Sequence, residues 1–153
     1  LRVPAGLERY TIKSITVGGA DFTNRPVDGM LLSGRGEVVL TFTDKVTTVH
    51  GIVSDDQGPT GEAAVIAFPV EPEQWTRYGF TPVRIKATPV AGKLGYSFRG
   101  LPAGSYYFIA VDKNLVAAWQ DPQFLRRAAA LATRVAIAWD ETKSVDLRVV
   151  RVR

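Results

Sequence analysis

Catalysis needs a side chain that moves a proton near neutral pH, attacks an electrophile or ligates a metal. This 153-residue chain is poor in all three. It has no cysteine, so thiolate nucleophiles, disulfides and Cys-ligated metals are excluded together. Its single histidine, His50, rules out a multi-histidine metal site. His50 would be the one general base poised near neutrality, yet it lies mid-strand with no Ser, Cys or acidic partner at triad spacing. It reads as structural. Asp55 and Asp56 could open a calcium loop, but the D-x-D-x-D-G spacing with a distal glutamate is missing, so the pair reads as a solvated turn. Glu71 and Glu73 stand two apart beside Trp75, without the second wall that a paired acid and base requires. No P-loop, dinucleotide-binding glycine pattern or H-E-x-x-H occurs. The expectation is a protein that is not an enzyme and carries no metal or cofactor.

Binding residues are better represented. Trp75, Tyr78 and Phe80 cluster in one proline-punctuated stretch, where aromatic faces could stack on sugar rings or anchor an interface. The alternative is that these rings fold back over a sheet face. Trp119 is expected to pin a helix to the sheets, and Trp139 to pack in the core or at its rim. The formal charge of +4 is mild, and its local concentrations are Arg126-Arg127 and the C-terminal Arg148, Arg151 and Arg153. Both fall in apolar-patterned segments and read as solvated faces of a helix and a strand rather than a nucleic-acid stripe. Arg148 and Arg151 stay candidates for an interface, with an anionic lipid or acidic glycan surface as the weaker option. No apolar run approaches the roughly 20 residues needed to span a bilayer. The chain opens at Leu1 without an initiator Met or signal pattern, so it is expected to be a processed product or a piece of something longer. The lack of cysteine fits a secreted or bacterial envelope protein.

The elements that must position these residues are mostly strands. Val, Thr, Tyr and Phe recur in short runs between 14 glycines and 9 prolines, a pattern of β structure with many turns. Tyr10–Val17 ends at Gly18-Gly19, a hairpin signal. Val38, Leu40 and Phe42 alternate with Val39, Thr41 and Thr43. Val46–Ser54 reads as one strand around Gly51, and Asp55–Pro59 as a turn. Ala63–Pro69 is small and apolar enough to be buried on both faces, whereas 70–82 reads as an exposed excursion. Val83–Ala87 alternates with Val83, Ile85 and Ala87 on one side, and Tyr96 and Phe98 share a face of the next strand. After the Leu101-Pro102-Ala103-Gly104 turn, Tyr106, Phe108 and Ala110 alternate with Tyr107, Ile109 and Val111, both sets apolar, which marks a central strand. Asp121 and Pro122 begin a helix with Phe124, Leu125, Ala128 and Leu131 on its apolar stripe, ending near Ala132. Arg134–Trp139 and Val145–Val152 close the chain. In the last, Val145, Leu147 and Val149 share a face but Val150 and Val152 take the other, which implies a bulge or a strand between two apolar surfaces.

The chain also resembles itself. Arg2-Val3-Pro4-Ala5-Gly6 with Tyr10 echoes Leu101-Pro102-Ala103-Gly104 with Tyr106, and Gly36-Glu37 before Val38 echoes Asp140-Glu141 before Val145. Residues 1–45 are therefore expected to be the later half of a preceding module, and 46–153 a complete one. Thr48–Asp55, Gly58-Pro59 and Ala63-Ala64-Val65 resemble the opening of a carboxypeptidase regulatory-like domain, with its V-x-G-x-V-x-D strand and G-A-x-V strand. Tyr96-Ser97-Phe98 and Leu101–Tyr106 resemble its aromatic strand and L-P-x-G turn, and the Asp121-Pro122 helix with Ala132-Thr133 resembles a subtype from multi-module bacterial envelope proteins. Gly61-Glu62, the 70–82 excursion and the helix depart from the minimal pattern. The resemblance implies an all-β, Ig-like or transthyretin-like Greek-key sandwich with one short helix, preceded by a partial β module. It implies a non-enzymatic structural or adhesion module of the cell surface or a secreted protein. The related starch-binding class makes a carbohydrate-binding module around Trp75 the alternative. No isopeptide cross-link is expected, because the strand Phe108–Val111 lacks the acidic residue such domains use. The expected partners are other copies or neighbouring modules. A half-module exposes an edge and the apolar residues Val38, Leu40 and Phe42, to be covered by upstream sequence, by the complete module or by another protomer's strand.

Overall fold

Seven successive residues, Ala63–Pro69, are all buried, a pattern that requires a strand covered on both faces. The computed structural model describes residues 10–24, 36–77, 82–92 and 95–152. Among them the strands are β1 (Thr11–Val17), β2 (Ala20–Asp21), β3 (Val38–Thr43), β4 (Thr48–Gly51), β5 (Val53–Asp55), β6 (Gly58–Pro59) and β7 (Ala63–Pro69). There follow β8 (Lys86–Pro89), β9 (Tyr96–Arg99), β10 (Gly104–Asp112), β11 (Thr133–Ile137), β12 (Thr142–Ser144) and β13 (Leu147–Arg148). The helix α1 (Pro122–Ala129) lies between β10 and β11.

One sheet has the order β11-β10-β7-β8, and the strands of two shorter sheets, β12-β4-β9 and β13-β5-β6, form the facing layer. The fold is an all-β sandwich. Period-2 alternation then assigns each central strand to two cores. Val65, Ala67, Tyr106, Phe108 and Ala110 point inward, where they meet Val49, Tyr96, Phe98 and Leu147. Ile66, Phe68, Ile109 and Val111 point outward and are covered by Trp75, Phe124, Leu125 and Ala128. The doubly apolar pattern around Tyr106 thus reports a strand between a sandwich interior and a helix-covered outer face.

The helix starts as its sequence dictates. The Asp121 carboxylate accepts the Gln123 N–H at 2.8 Å, and Pro122 occupies the first turn. It ends at Ala129 rather than near Ala132, because the chain must turn into β11 at Thr133; Leu131 lies past the end and is 51% exposed. The closing strand resolves its own phase change. Val145 and Val149 pack on the interior core while Val150 and Val152 pack on the helix-covered one, so the segment does lie between two apolar surfaces.

Three expected strands differ. Val46–Ser54 is split at the exposed Ile52 into β4 and β5, because the chain crosses itself there: a Cβ on Gly51 would collide with the Val145 carbonyl. Val83–Ala87 is replaced by β8, starting at Lys86; Val83 is 57% exposed and Ile85 buried, so the two do not share an environment. The expected terminal strand Val145–Val152 is reduced to β13 and a single bridge from Val149 to Ala110, and a further short strand, β12, forms just before it.

The three strands before residue 46 form a separate sheet, order β2-β1-β3. A bulge between Ile12 and Ser14 restores phase, so that Ile12↔Phe42, Ile15↔Leu40 and Val17↔Val38 become cross-strand pairs on one apolar face. The opposite face carries Thr11↔Thr43, Ser14↔Thr41 and Thr16↔Val39. Among the described residues, none of this sheet joins either core.

Candidate functional site

The polar side chains drawn inside the sandwich are tied to fixed partners. Thr47 Oγ1 donates to the Leu101 carbonyl, Tyr96 O–H to that of Val145 at 2.7 Å, and Tyr106 O–H to that of Pro102 at 2.7 Å. Burial pushes both phenols above their ordinary pKa; the Asp146 charge adds to this at Tyr96, and the Arg84 guanidinium opposes it at Tyr106.

Arg84 is the densest node. Its side chain is only 10% exposed; Nε donates to Tyr106 Oη at 3.0 Å and Nη1 to Gln74 Oε1 at 2.6 Å. Glu71 Oε2 lies 3.5 Å from Nη1, and the guanidinium carbon sits 4.8 Å from the Tyr106 ring centre. A Cβ on Gly104 would run into this guanidinium, and the φ of +152° is one that L side chains rarely adopt, so backbone and arginine together favour the glycine of the L-P-x-G turn. The Arg84 cluster clamps the base of the 70–82 excursion to the sheet. The sequence pattern does not disclose it, since the partners Gln74 and Tyr106 lie 10 and 22 residues from Arg84.

Trp75 belongs to the same base. It is 5% exposed, its Nε1–H donates to the Pro69 carbonyl at 2.7 Å, and its ring meets Phe68 edge-on at 5.6 Å. A ring so enclosed offers no face to a sugar, which corrects both the exposed reading of this segment around Trp75 and its stacking role. Tyr78 and Phe80 lie outside the described residues, as does the Arg2–Gly6 part of the internal repeat. Trp119 packs beside α1 on the outer core, and Trp139 lies in the turn after β11. His50 and Asp56 are exposed. Arg148 pairs with Asp56 at the surface, and Arg151 is exposed. Among the described residues no three His, Asp or Glu side chains gather as metal ligands, and no helix is long and apolar enough to cross a membrane.

The open sides of the sandwich carry the other features that the sequence did not disclose. Lys86 is opposite Ala67 and Lys143 opposite Val49, so both lysines share faces with interior residues. Lys86 Nζ crosses from edge strand β8 to the Arg99 carbonyl on edge strand β9. Lys143 Nζ crosses from edge strand β12 to the Ala136 carbonyl on edge strand β11, at 2.7 Å. Desolvation lowers the Lys86 pKa. Glu141 holds the second lysine at 3.0 Å while accepting the Ala138 N–H at 2.7 Å; that backbone bond, then Lys143, keeps its carboxyl below the ordinary value. Each open side of the sandwich is therefore bridged by an inward-pointing lysine, one of the ways a sheet edge is made unavailable for pairing.

No family model and no curated protein matches this sequence. Among solved structures, the chain is similar to the crystal structure of BcpA, the major pilin subunit of Bacillus cereus, with 7% sequence identity and a TM-score of 0.39. That match covers 92% of this chain and 56% of the pilin, so the chain spans about half the length of that subunit.

Proposed function

We propose that the chain is a non-enzymatic structural module of a cell-surface or secreted protein. Residues 46–153 form a self-contained carboxypeptidase regulatory-like sandwich, and residues 1–45 are the later half of a neighbouring module. The observation that carries this reading is the division of burial: the sandwich fills two cores, and none of the described residues before 46 enters them. The interior polar groups support it. Thr47, Tyr96, Tyr106, Trp75, Lys86 and Lys143 all donate to backbone carbonyls, an arrangement that stiffens turns and edges. The family resemblance is supported where its glycines have structural work: Gly51 lies against the Val145 backbone and Gly104 against Arg84.

The pairing sense changes the alignment behind the half-module reading. β1 pairs antiparallel with β3 as β10 pairs antiparallel with β11. The repeat had matched β3 instead to the terminal strand, which meets β10 in parallel at Ala110↔Val149. The better counterpart of β3 is β11. Native-state hydrogen exchange on the full chain tests the division. Amides of β7 and β10 should exchange only on global unfolding, and those of β1 and β3 at far lower free energy. Equal protection of the two regions would defeat the reading.

A further inference from the structure

In the sandwich, β11 is an edge strand whose outward Ala136 carbonyl is occupied by Lys143. Its counterpart β3 has the sequence Val-Val-Leu-Thr-Phe-Thr, with no charge, and among the described residues it pairs only with β1. Val38 and Val39 point to opposite faces, yet they are 48% and 43% exposed. Of the edges described, this is the long one without an inward lysine.

Backbone geometry fixes which groups this edge presents. Ile15 spends its carbonyl on the Phe22 N–H at 2.8 Å and its N–H on Thr23 Oγ1 at 3.0 Å, both on the side away from β3. Ile15 and Leu40 are therefore a non-hydrogen-bonded pair, and Leu40 directs its own N–H and C=O to the outer edge, as Val38 and Phe42 do by alternation. These three are also the residues of the strand's apolar face, while Val39 lies on the other face.

We infer that the outer edge of β3 is a pairing surface for β3 of a second copy, antiparallel, with Leu40 opposite Leu40 on the two-fold axis. This rests on the reading of residues 1–45 as an incomplete module. That register sets Val38 opposite Phe42 on both sides of the axis. It keeps Val38, Leu40 and Phe42 of both copies on one face and makes roughly six backbone hydrogen bonds, since every outward-pointing residue meets another. Moving the axis to Thr41 preserves the faces but loses one hydrogen-bonded pair. Moving it by half a residue puts apolar side chains opposite polar ones. No charge opposes the contact, because β3 has none, and the two-fold is closed, so a dimer forms rather than a fibre.

The lack of cysteine gives a clean test on the full chain. In this register two copies of L40C lie about 5.5 Å apart at Cα, within disulfide reach, whereas V38C or F42C meets its own copy at about 14 Å. Under diamide, L40C should become a covalent dimer while V38C and F42C stay monomeric. V38K, which puts a charge on the apolar face opposite Phe42 of the second copy, should abolish concentration-dependent association in gel filtration with an unchanged circular dichroism spectrum. The inference is overturned by equal cross-linking at all three positions, by a monomeric L40C (the result if the edge takes a strand from elsewhere in the same polypeptide), or by undiminished association of V38K. Failure here with unequal hydrogen exchange would leave the module reading standing; successful cross-linking with uniform exchange would remove that reading and keep the pairing.

Discussion

The two halves of this chain use the same local grammar to different ends. β1–β3 and β10–β11 are both antiparallel, alternating and rich in β-branched residues. In the second pair β10 lies between two cores, while the first pair has an apolar face and, among the described residues, an unpaired edge on β3. Alternation specifies which residues share a face. It does not specify whether anything covers that face, and that depends on chain elsewhere.

The sharpest way to expose the contrast is to remove one ring from each half. Phe108 is fully buried, and Phe108→Ala should cost about 3–5 kcal/mol in a urea titration. Phe42→Ala, on the partly exposed β3, should cost about 1 kcal/mol; equal costs would mean both halves share one cooperative core. Next comes Arg84→Met, which strips Gln74, Glu71 and the Tyr106 hydroxyl of their cation at once. A loss of about 2 kcal/mol is expected, with faster amide exchange through residues 71–77, while Lys13→Met at the exposed bulge of β1 should leave both unchanged.

Alkali should act through the sandwich. Tyr96 and Tyr106 keep their protons when folded at pH values where the unfolded phenols ionise, so the folded state then holds more protons. Their contribution is fully present below about pH 10 and declines above it, and Tyr96→Phe should flatten that decline in a pH series of urea midpoints. The smallest effect belongs to Arg148→Ala. Its ion pair with Asp56 is solvent-exposed on both sides, and the urea midpoint should not move measurably.

What could be read from sequence was whatever local pattern alone decides. Ala63–Pro69 has only one physical home, and Asp121-Pro122 starts a helix through its own backbone chemistry. Tyr106 and Tyr107 announced two apolar environments for one strand, and Val149 and Val150 did so for another. The polar interior was illegible for the opposite reason. Arg84 is buried by a tyrosine 22 residues on, and Lys143 is drawn across the edge by a carbonyl on the facing sheet. Neither partner leaves a mark at the position it stabilises. Lysine and arginine in an alternating strand ordinarily signal the solvent face, so the residues that seal the edges look like those that need no sealing. Trp75 shows the same limit from the other side, since its loop reads as exposed until Phe68 and Pro69 are placed beneath it.

The closing strands of the sandwich have a mechanical consequence. Thr142–Ser144 run parallel to Thr48–His50, and Leu147–Arg148 parallel to Val53–Ser54. The module is thus entered at one pole and left at the opposite one. Tension along the polypeptide would load the bonds from Glu141–Thr48 through Val145–His50 and Leu147–Ile52 to Val149–Ser54 in shear. Bonds in shear must yield together, whereas an antiparallel hairpin pulled at its ends unzips one rung at a time. A spacer built this way resists a steady pull through a slow rate of forced unfolding rather than through equilibrium stability alone.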